Sequence, residues 1–168
     1  MKKHFSILAI TLMALVLVFG SCKKDPKPTP SDSKEYTVKY KISNTASITN
    51  PLTGEVKTYT LSPCFKFNFS YVDADGRTVE KTNVTAPWEE TITVHRPFNA
   101  KMEGELVYNE SELPDTVYYG TPYSITISGN GTILHDNDEN IARTPKDRFL
   151  EHIAGTDRLK FEGKVSLN

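Results

Sequence analysis

FKFNFSYVDADG, residues 65–76, is the stretch of sequence that most clearly indicates the fold. Its first part places an aromatic side chain at every second position from Phe65 to Tyr71, with polar side chains between them. This period of two predicts a β-strand with one buried face. The Asp-Ala-Asp-Gly sequence at 73–76 is typical of a tight turn, so a hairpin should lead into a second strand over residues 77–84.

The same alternation of apolar and polar residues continues on both sides of this hairpin. It predicts one strand before the hairpin and several after it. The predicted segments are residues 36–42, 88–94, 100–108, a hairpin over 123–133 that turns at Gly129-Asn130-Gly131, and 159–167. Trp88 has the same parity as Ile92 and Val94, and we therefore expect it to be buried.

One short helix is predicted before the last strand. Thr144 suits the N-cap, Pro145 suits the first helical position, and Gly155 follows as a C-terminal stop. The apolar stripe of this helix would consist of Phe149, Leu150 and Ile153.

About seven to eight short strands separated by turn sequences favour antiparallel pairing, because a parallel sheet would need crossover helices that the sequence does not provide. The sequence therefore predicts an all-β protein, an Ig-like antiparallel β-sandwich with one short helix near the C-terminus. A lipocalin-like barrel is the alternative, since a lone helix before a final strand also occurs in that fold. The Gly-x-Trp opening usual in lipocalins is missing here.

The N-terminus has the pattern of a secretion signal. Lys2 and Lys3 precede an apolar run over residues 7–19, which is too short for a transmembrane helix and favours cleavage. The sequence Val-Phe-Gly-Ser-Cys at 18–22 resembles the lipobox of bacterial lipoproteins. This resemblance implies that residues 1–21 are a signal peptide and that Cys22 becomes a lipidated N-terminus held on a membrane by acyl chains. The alternative is a plain cleaved signal that leaves Cys22 as a free thiol.

The residues after Cys22 indicate a tether and a destination. Three prolines alternate with charged and hydroxyl residues up to residue 34, which predicts a semi-extended tether over 22–34 and a single folded domain over 35–168. Ser21-Cys22-Lys23-Lys24-Asp25 resembles the start of Bacteroidetes-type lipoproteins. The resemblance implies the outer membrane, with the domain at its periplasmic face or on the cell surface.

The overall composition excludes several classes of function. The 20 basic residues nearly balance the 21 acidic ones, which argues against a nucleic-acid partner. Two cysteines and a mean hydropathy of -0.43 argue against a disulfide scaffold and a multi-span membrane protein.

Four segments of the central region resemble the MmpS-type transport accessory domain. They are the tyrosine-ended strand with its Asp-Gly turn at 67–76, the segment 83–94 with Pro-Trp opening a strand, the alternating strand from Ala100, and the Ile-x-Ile hairpin at 124–131. The resemblance implies an Ig-like fold, a role beside lipid or siderophore exporters, and no catalytic residues. The family differs in its transmembrane anchor, its paired cysteines and its lack of a C-terminal helix.

Three tyrosines are the candidates for ligand binding. Tyr118, Tyr119 and Tyr123 surround the Gly-Thr-Pro sequence at 120–122, and exposed aromatic rings on a loop can stack on sugars. Tyrosine is also common in strands, so an edge-strand or core role is the other reading. We expect Tyr123 to pack inward with Ile125 and Ile127 and only one of the other two rings to be exposed, which would leave no platform for a sugar.

Two further sites are suggested by short patterns. Asp136, Asp138 and Asn140 stand at positions 1, 3 and 5 of an EF-hand count, but the sixth and twelfth positions depart from the motif, so a solvated acidic loop is the alternative to a Ca²⁺ site. Asp115-Thr116-Val117 fits the loose O-glycosylation pattern of Bacteroidetes-type exported proteins, which makes Thr116 a candidate acceptor.

No catalytic set can be assembled from the sequence. Cys64 should be an inert thiol, and no pattern joins His95, His135 or His152 to it or to a metal. We therefore expect no enzyme and no cofactor. The expected function is a non-catalytic, lipid-anchored envelope protein that presents a β-sandwich to a protein or ligand, with a transport accessory subunit as one form of this role. A carbohydrate- or small-ligand-binding lipoprotein is the alternative. The partners would be the membrane and an envelope protein or glycan.

Overall fold

The structure, a computed structural model, describes residues 34–153 and 156–168. The predicted signal peptide, Cys22 and all of the predicted tether except Lys34 lie outside the described residues. The predicted helix stop Gly155 also lies outside them.

Twelve strands and one α-helix form within the described residues. The strands are β1 Tyr36–Ile42, β2 Thr45–Thr49, β3 Val56–Thr60, β4 Phe65–Val72, β5 Thr78–Val84, β6 Trp88–Val94, β7 Phe98–Tyr108, β8 Thr116–Gly120, β9 Tyr123–Gly129, β10 Thr132–Asp138, β11 Ile141–Pro145 and β12 Lys160–Leu167. The helix α1 is Lys146–Ile153, and short 3-10 turns cover Glu110–Glu112 and Asp157–Leu159.

The strands assemble into two four-stranded antiparallel sheets. Sheet I has the order β10-β9-β1-β6, and sheet II has the order β12-β7-β4-β5. Two further antiparallel pairs, β2 with β3 and β8 with β11, form separate ribbons. An all-β, antiparallel architecture is therefore confirmed.

The two sheets pack face to face through aromatic side chains. Trp88 of β6 has its ring centroid 4.6 Å from that of Phe69 and 5.5 Å from that of Tyr71, both in β4. Tyr123 of β9 stacks on Phe161 of β12 at 5.4 Å. These contacts join the inner faces of sheets I and II, so the architecture is a sandwich.

The period of two predicted from the sequence is present in the burial of the strands. Alternate side chains of β1 and of β4 are buried, and the residues between them face solvent. The strand β12 shows the same alternation over its whole length. The aromatic residues of 65–71 therefore belong to the core because each one points toward the opposite sheet.

Three side chains make hydrogen bonds from one sheet to the other. The Tyr40 hydroxyl donates to the carbonyl of Val72 at 2.7 Å. At the other side of the sandwich, the Tyr123 hydroxyl donates to the carbonyl of Glu162, and the backbone N–H of Lys164 donates to Asp136 Oδ2 at 2.8 Å. The last two bonds satisfy backbone groups of β12, which is an edge strand of sheet II.

The number of strands is higher than the seven to eight that the sequence indicates. The strands without a sequence prediction are β2, β3, β8 and β11, each five residues long. In β3 the first three side chains are all exposed, so buried and exposed residues do not alternate and the sequence shows no period of two. The lipocalin-like alternative is wrong, because the described strands form separate open sheets and no closed barrel.

The helix begins later than predicted. Thr144 and Pro145 belong to β11, where they pair with Val117 and Thr116 of β8. Lys146 then donates its backbone N–H to the carbonyl of Asp115 at 2.9 Å. Strand pairing thus occupies the residues that capping rules assign to the helix start.

The apolar stripe of α1 is confirmed. Phe149 and Ile153 are buried and Leu150 is half-buried. Phe149 lies among the rings of Phe65, Tyr108 and Tyr119, with centroids 5.0 to 5.7 Å away. The helix therefore packs its apolar stripe against the core next to Tyr119 of β8.

Among the described residues, no helix has the length and apolar content needed to cross a membrane.

Trp88 is half-buried, whereas its parity predicts a buried residue. It lies at the start of β6, which is an edge strand of sheet I, so one side of the indole has no neighbouring strand to cover it.

Candidate functional site

The three tyrosines singled out in the sequence do not share one surface. Tyr123 is buried, as expected, and its ring stacks on Phe161 while Ile125 and Ile127 point into the core beside it. Burial raises the pKa of the Tyr123 hydroxyl, with the charge of Asp136 adding to the effect. Tyr123 therefore has a structural role.

Tyr118 and Tyr119 are neighbours in β8 and point to opposite faces of the strand. Tyr119 packs on Phe149 with centroids 5.0 Å apart, and Tyr118 packs on Tyr59 at 5.8 Å. Both side chains are half-buried, whereas the sequence predicted that only one of the two would be exposed. The outer ring, Tyr118, is the one that reaches a surface depression.

That depression lies between β3 and β8 and has a volume of about 420 Å³. We call it the β3–β8 groove. Its lining residues are Lys57, Thr58, Tyr59, Thr60 and Tyr118. The two tyrosine rings are inclined by 31° to each other, and their centroids lie 5.8 Å apart.

A buried serine holds the two walls of the β3–β8 groove together. The backbone N–H of Ser62 donates to the carbonyl of Tyr118 at 2.9 Å, and the backbone N–H of Tyr118 donates to Ser62 Oγ at 3.0 Å. Ser62 follows β3 by two residues and is only 5% exposed. The relative position of Tyr59 and Tyr118 is therefore set by backbone hydrogen bonds and not by the rings alone.

An arginine extends the groove on the side of β11. Arg143 pairs with Tyr118 across the β8–β11 ribbon, and its guanidinium carbon lies 6.0 Å from the centroid of the Tyr118 ring. At this distance the cation is attracted by the negative face of the ring. Arg143 is exposed, so its charge remains available to a ligand.

Sequence reasoning found one member of this groove, Tyr118, and missed Tyr59, Lys57 and Arg143. These residues lie in short strands whose sequences contain no alternation and no motif. Only the docking of three separate segments brings them together, so no local pattern could have indicated the set.

The candidate metal ligands are placed differently from a Ca²⁺ loop. Asp136 and Asp138 belong to β10, whereas the acidic-loop alternative puts them in a loop. Asp136 accepts the backbone N–H of Lys164, and Asp138 Oδ1 accepts the backbone N–H of Asn140 at 3.0 Å. In the described part of the chain, no three His, Cys, Asp or Glu side chains come together in a way that could hold a metal ion.

Thr116 is half-buried at the start of β8 and pairs with Pro145 of β11. Its side chain shares a face of β8 with Tyr118, two residues further along. A sugar attached to Thr116 would therefore project on the same side of the ribbon as the β3–β8 groove.

Cys64 is a buried free thiol, and burial raises its pKa, with the charge of Glu112 adding to the effect. A raised pKa keeps the sulfur protonated and weakly nucleophilic. His95, His135 and His152 are exposed, and His135 Nδ1 lies 3.0 Å from Thr126 Oγ1. The described geometry thus places no histidine beside the thiol.

The outer face of sheet II carries a larger depression of about 550 Å³. It is lined by Asn68, Glu103, Gly104, Glu105, Lys160, Phe161 and Glu162. Lys164 and Lys101 lie 2.6 Å and 3.4 Å from Glu162, and they lower the pKa of that carboxyl. This face therefore carries exposed charges of both signs, with three carboxylates and one lysine in the lining and Lys101 and Lys164 beside them.

Comparison of the sequence with protein-family models and with curated proteins finds no match.

Proposed function

We propose that this chain is a non-catalytic, lipid-anchored protein of the outer membrane that presents its β-sandwich to a protein or ligand. The observation that carries the proposal is the order of features at the N-terminus. An apolar segment ends in Gly-Ser-Cys22, a tether rich in proline and lysine follows, and the first strand begins at Tyr36. This order is typical of a domain that acyl chains anchor to a membrane and that a tether holds at a distance from it.

The place where the tether enters the domain supports this role. The strand β1 lies inside sheet I and is paired with β9 on one side and β6 on the other. A pull on the N-terminus would act along β1 and load both rows of hydrogen bonds together. A central strand is therefore a mechanically suitable attachment point.

The chemistry of the described residues supports binding over catalysis. The groups with shifted pKa values are buried side chains such as Tyr40, Tyr71 and Cys64, or members of exposed ion pairs such as Glu89, which is paired with Lys39. Each shift has a structural cause in burial or pairing. None of these groups lies in the β3–β8 groove.

We propose that the sandwich is Ig-like in its packing. Two antiparallel sheets enclose one aromatic core, and the chain passes from sheet II to sheet I between β5 and β6 and back between β6 and β7.

The resemblance of residues 67–131 to the MmpS-type domain supports a transport accessory role. In that case an envelope transporter component would co-purify with the detergent-extracted protein.

The anchor is tested by replacing its cysteine. We expect Cys22→Ala to move the protein from the detergent phase to the aqueous phase in detergent partitioning, because the acyl chains would be the apolar anchor of the mature protein. Cys64→Ala is the matched control and should leave partitioning unchanged, since that thiol is buried in the domain. Retention of the Cys22→Ala protein in the detergent phase contradicts lipid anchoring at this residue.

The second candidate function is that of a carbohydrate- or small-ligand-binding lipoprotein. The observation that favours it is the pair of half-exposed rings, Tyr59 and Tyr118, in a groove bordered by exposed cations. Its volume of about 420 Å³ is within the range of small-ligand sites, roughly 300–1,000 Å³.

A further inference from the structure

We infer that the β3–β8 groove binds an acidic oligosaccharide, one whose sugar rings carry carboxylates. The inference rests on the proposed role as a binding protein and names the ligand class of the second candidate function. It does not depend on the lipid anchor. The argument proceeds from the order of four side chains across the groove.

The four side chains form a row of cation, ring, ring and cation. Lys57 and Tyr59 are two residues apart in β3 and share a face of that strand. Tyr59 contacts Tyr118 at 5.8 Å between centroids, and Tyr118 lies below the guanidinium of Arg143. The two positive charges therefore flank an aromatic surface formed by two strands from different parts of the chain.

The aromatic centre of the row suits a sugar ring. One face of a pyranose presents several C–H groups, whose weak positive charge is complementary to the negative face of a tyrosine ring. Tyr59 and Tyr118 are both half-buried, so part of each ring remains open to a ligand. Thr58 and Thr60 also line the groove, and the Thr58 hydroxyl is hydrogen-bonded to Ser47 Oγ at 3.0 Å.

The charges at the two ends of the row distinguish an acidic sugar from a neutral one. Arg143 is exposed and contacts Tyr118 through its cation, which leaves guanidinium N–H groups free to bind a carboxylate in the bidentate geometry that arginine favours. Lys57 is paired with Glu55 at 3.8 Å, and both side chains are more than half exposed. Such a long, exposed pair is weak, so a ligand carboxylate can compete for Lys57.

The probe is tetragalacturonate, compared by calorimetry with its fully methyl-esterified and therefore neutral counterpart. Both are added to the full-length lipidated protein in detergent micelles. We expect the acidic tetramer to bind and the neutral one to bind roughly tenfold more weakly, because esterification removes the charged hydrogen bonds to the carboxylates. Equal binding of the two tetramers, or no binding of the acidic one at millimolar concentration, overturns the inference.

Two variants test the row itself. Arg143→Gln should weaken the acidic tetramer roughly tenfold and leave the neutral one unchanged, while Tyr118→Ala should weaken both. Arg148→Gln is the matched control, since Arg148 is an exposed arginine of α1 that pairs with Glu151. An effect of Arg148→Gln as large as that of Arg143→Gln overturns the inference, because it indicates attraction to the whole surface.

Two measurements separate this inference from its alternatives. Sodium sulfate at matched ionic strength should not displace the acidic tetramer beyond the effect of sodium chloride, and full displacement by sulfate assigns the groove to small anions and overturns the inference. The melting temperature of Arg143→Gln should match that of the native chain, since its guanidinium is exposed. Failure of tetramer binding with intact detergent partitioning contradicts the groove assignment alone and leaves the anchor proposal standing.

Discussion

Single side chains of this protein connect two sheets that share no backbone hydrogen bonds in the described residues. The clearest is Tyr40, which is fully buried at the centre of β1 and reaches across the core to the carbonyl of Val72. Its ring lies 5.2 Å from that of Tyr71. Burial, together with the charges of Tyr71 and Asp73, holds the pKa of the Tyr40 hydroxyl well above its ordinary value.

We expect Tyr40→Phe to lower the free energy of unfolding by about 1 kcal/mol at pH 7, through loss of one hydrogen bond. The folded protein holds the Tyr40 proton more tightly than the unfolded chain, so its stabilising effect is present below the ordinary pKa of 10.0 and is lost as the pH rises above it.

Urea titrations at pH 7, 10 and 11 measure this effect. The native chain should lose up to about 1.4 kcal/mol per pH unit above pH 10 relative to Tyr40→Phe. The raised pKa of Tyr123 is common to both proteins and cancels in the difference, whereas the titration of Tyr71 is coupled to that of Tyr40 and cancels only in part. A difference between the two proteins that stays constant from pH 7 to pH 11 contradicts the assignment to Tyr40.

Trp88 provides a second test at the scale of one residue. We expect Trp88→Ala to destabilise the protein by about 2–3 kcal/mol, less than for a fully buried aromatic residue, because one side of the indole faces solvent. Since the chain has a single tryptophan, its fluorescence reports this site alone. An emission maximum typical of a fully exposed indole, with little loss of stability, contradicts its packing on Phe69 and Tyr71.

At the scale of the element, β7 is the strand that organises sheet II. It is the longest strand in the described residues and pairs with β4 on one side and β12 on the other. At Gly104 the backbone of β4 comes so close that a Cβ atom would lie within 2.5 Å of Phe69 Cβ and 2.7 Å of Phe69 Cα. Glycine is thus required there by a close approach of two strands.

We expect Gly104→Ala to cost about 1–3 kcal/mol, because β4 must move to make room for one methyl group. Ser166→Ala, on the exposed face of the neighbouring β12, is the control and should change stability by less than about 0.5 kcal/mol. Thermal unfolding of the two variants measures the difference. Equal melting temperatures of the Gly104→Ala and Ser166→Ala variants would contradict the close approach of β4 to β7 at Gly104.

The sequence patterns were reliable for elements that bury one face along their whole length. The strands β1, β4, β7 and β12 follow the predicted alternation because each lies between the core and solvent. The β2–β3 ribbon was not predicted because the side chains of β3 are mostly exposed, and the β8–β11 ribbon was not predicted because its two strands are separated by another hairpin in the sequence. Thr144 and Pro145 show this most clearly, since pairing with β8 overrides a sequence that is suitable for a helix start.

At the scale of the whole molecule, the sandwich is closed on one side by contacts between β10 of sheet I and β12 of sheet II. Asp136 Oδ2 accepts the backbone N–H of Lys164, and the Tyr123 hydroxyl donates to the carbonyl of Glu162. These bonds satisfy the outer edge of β12, which would otherwise be open to pairing with another chain. Asp136 therefore has a structural role that an acidic cluster in the sequence does not suggest.

We expect Asp136→Ala to destabilise the protein by about 1–3 kcal/mol, because it leaves the Lys164 N–H without its acceptor. Asp138→Ala is the matched control from the same strand and should cost less, since Asp138 is exposed and bonds only to nearby Asn140. Chemical denaturation measures both. If added Ca²⁺ raises the stability of the native chain and not of Asp136→Ala, a metal-binding role for Asp136 takes precedence over the structural one.

The sequence by itself determined the properties that depend on residues close together in the chain. These are the all-β class, the parity of the long strands, the hairpin at Asp73–Gly76, and the pattern of signal, cysteine and tether from which an anchor is proposed. Each follows from local geometry, because a strand alternates its faces every residue and a tight turn needs particular residues.

Only the tertiary structure decided which residues meet. The β3–β8 groove joins Tyr59, Tyr118 and Arg143 from three strands, and the bond from Lys164 to Asp136 spans 28 residues. The physical reason is that such contacts are selected by the packing of whole sheets, in which the hydrophobic area buried outweighs local preference. Short ribbons with little apolar surface take their positions from the sheets they pack against, and the candidate binding site lies between two of them.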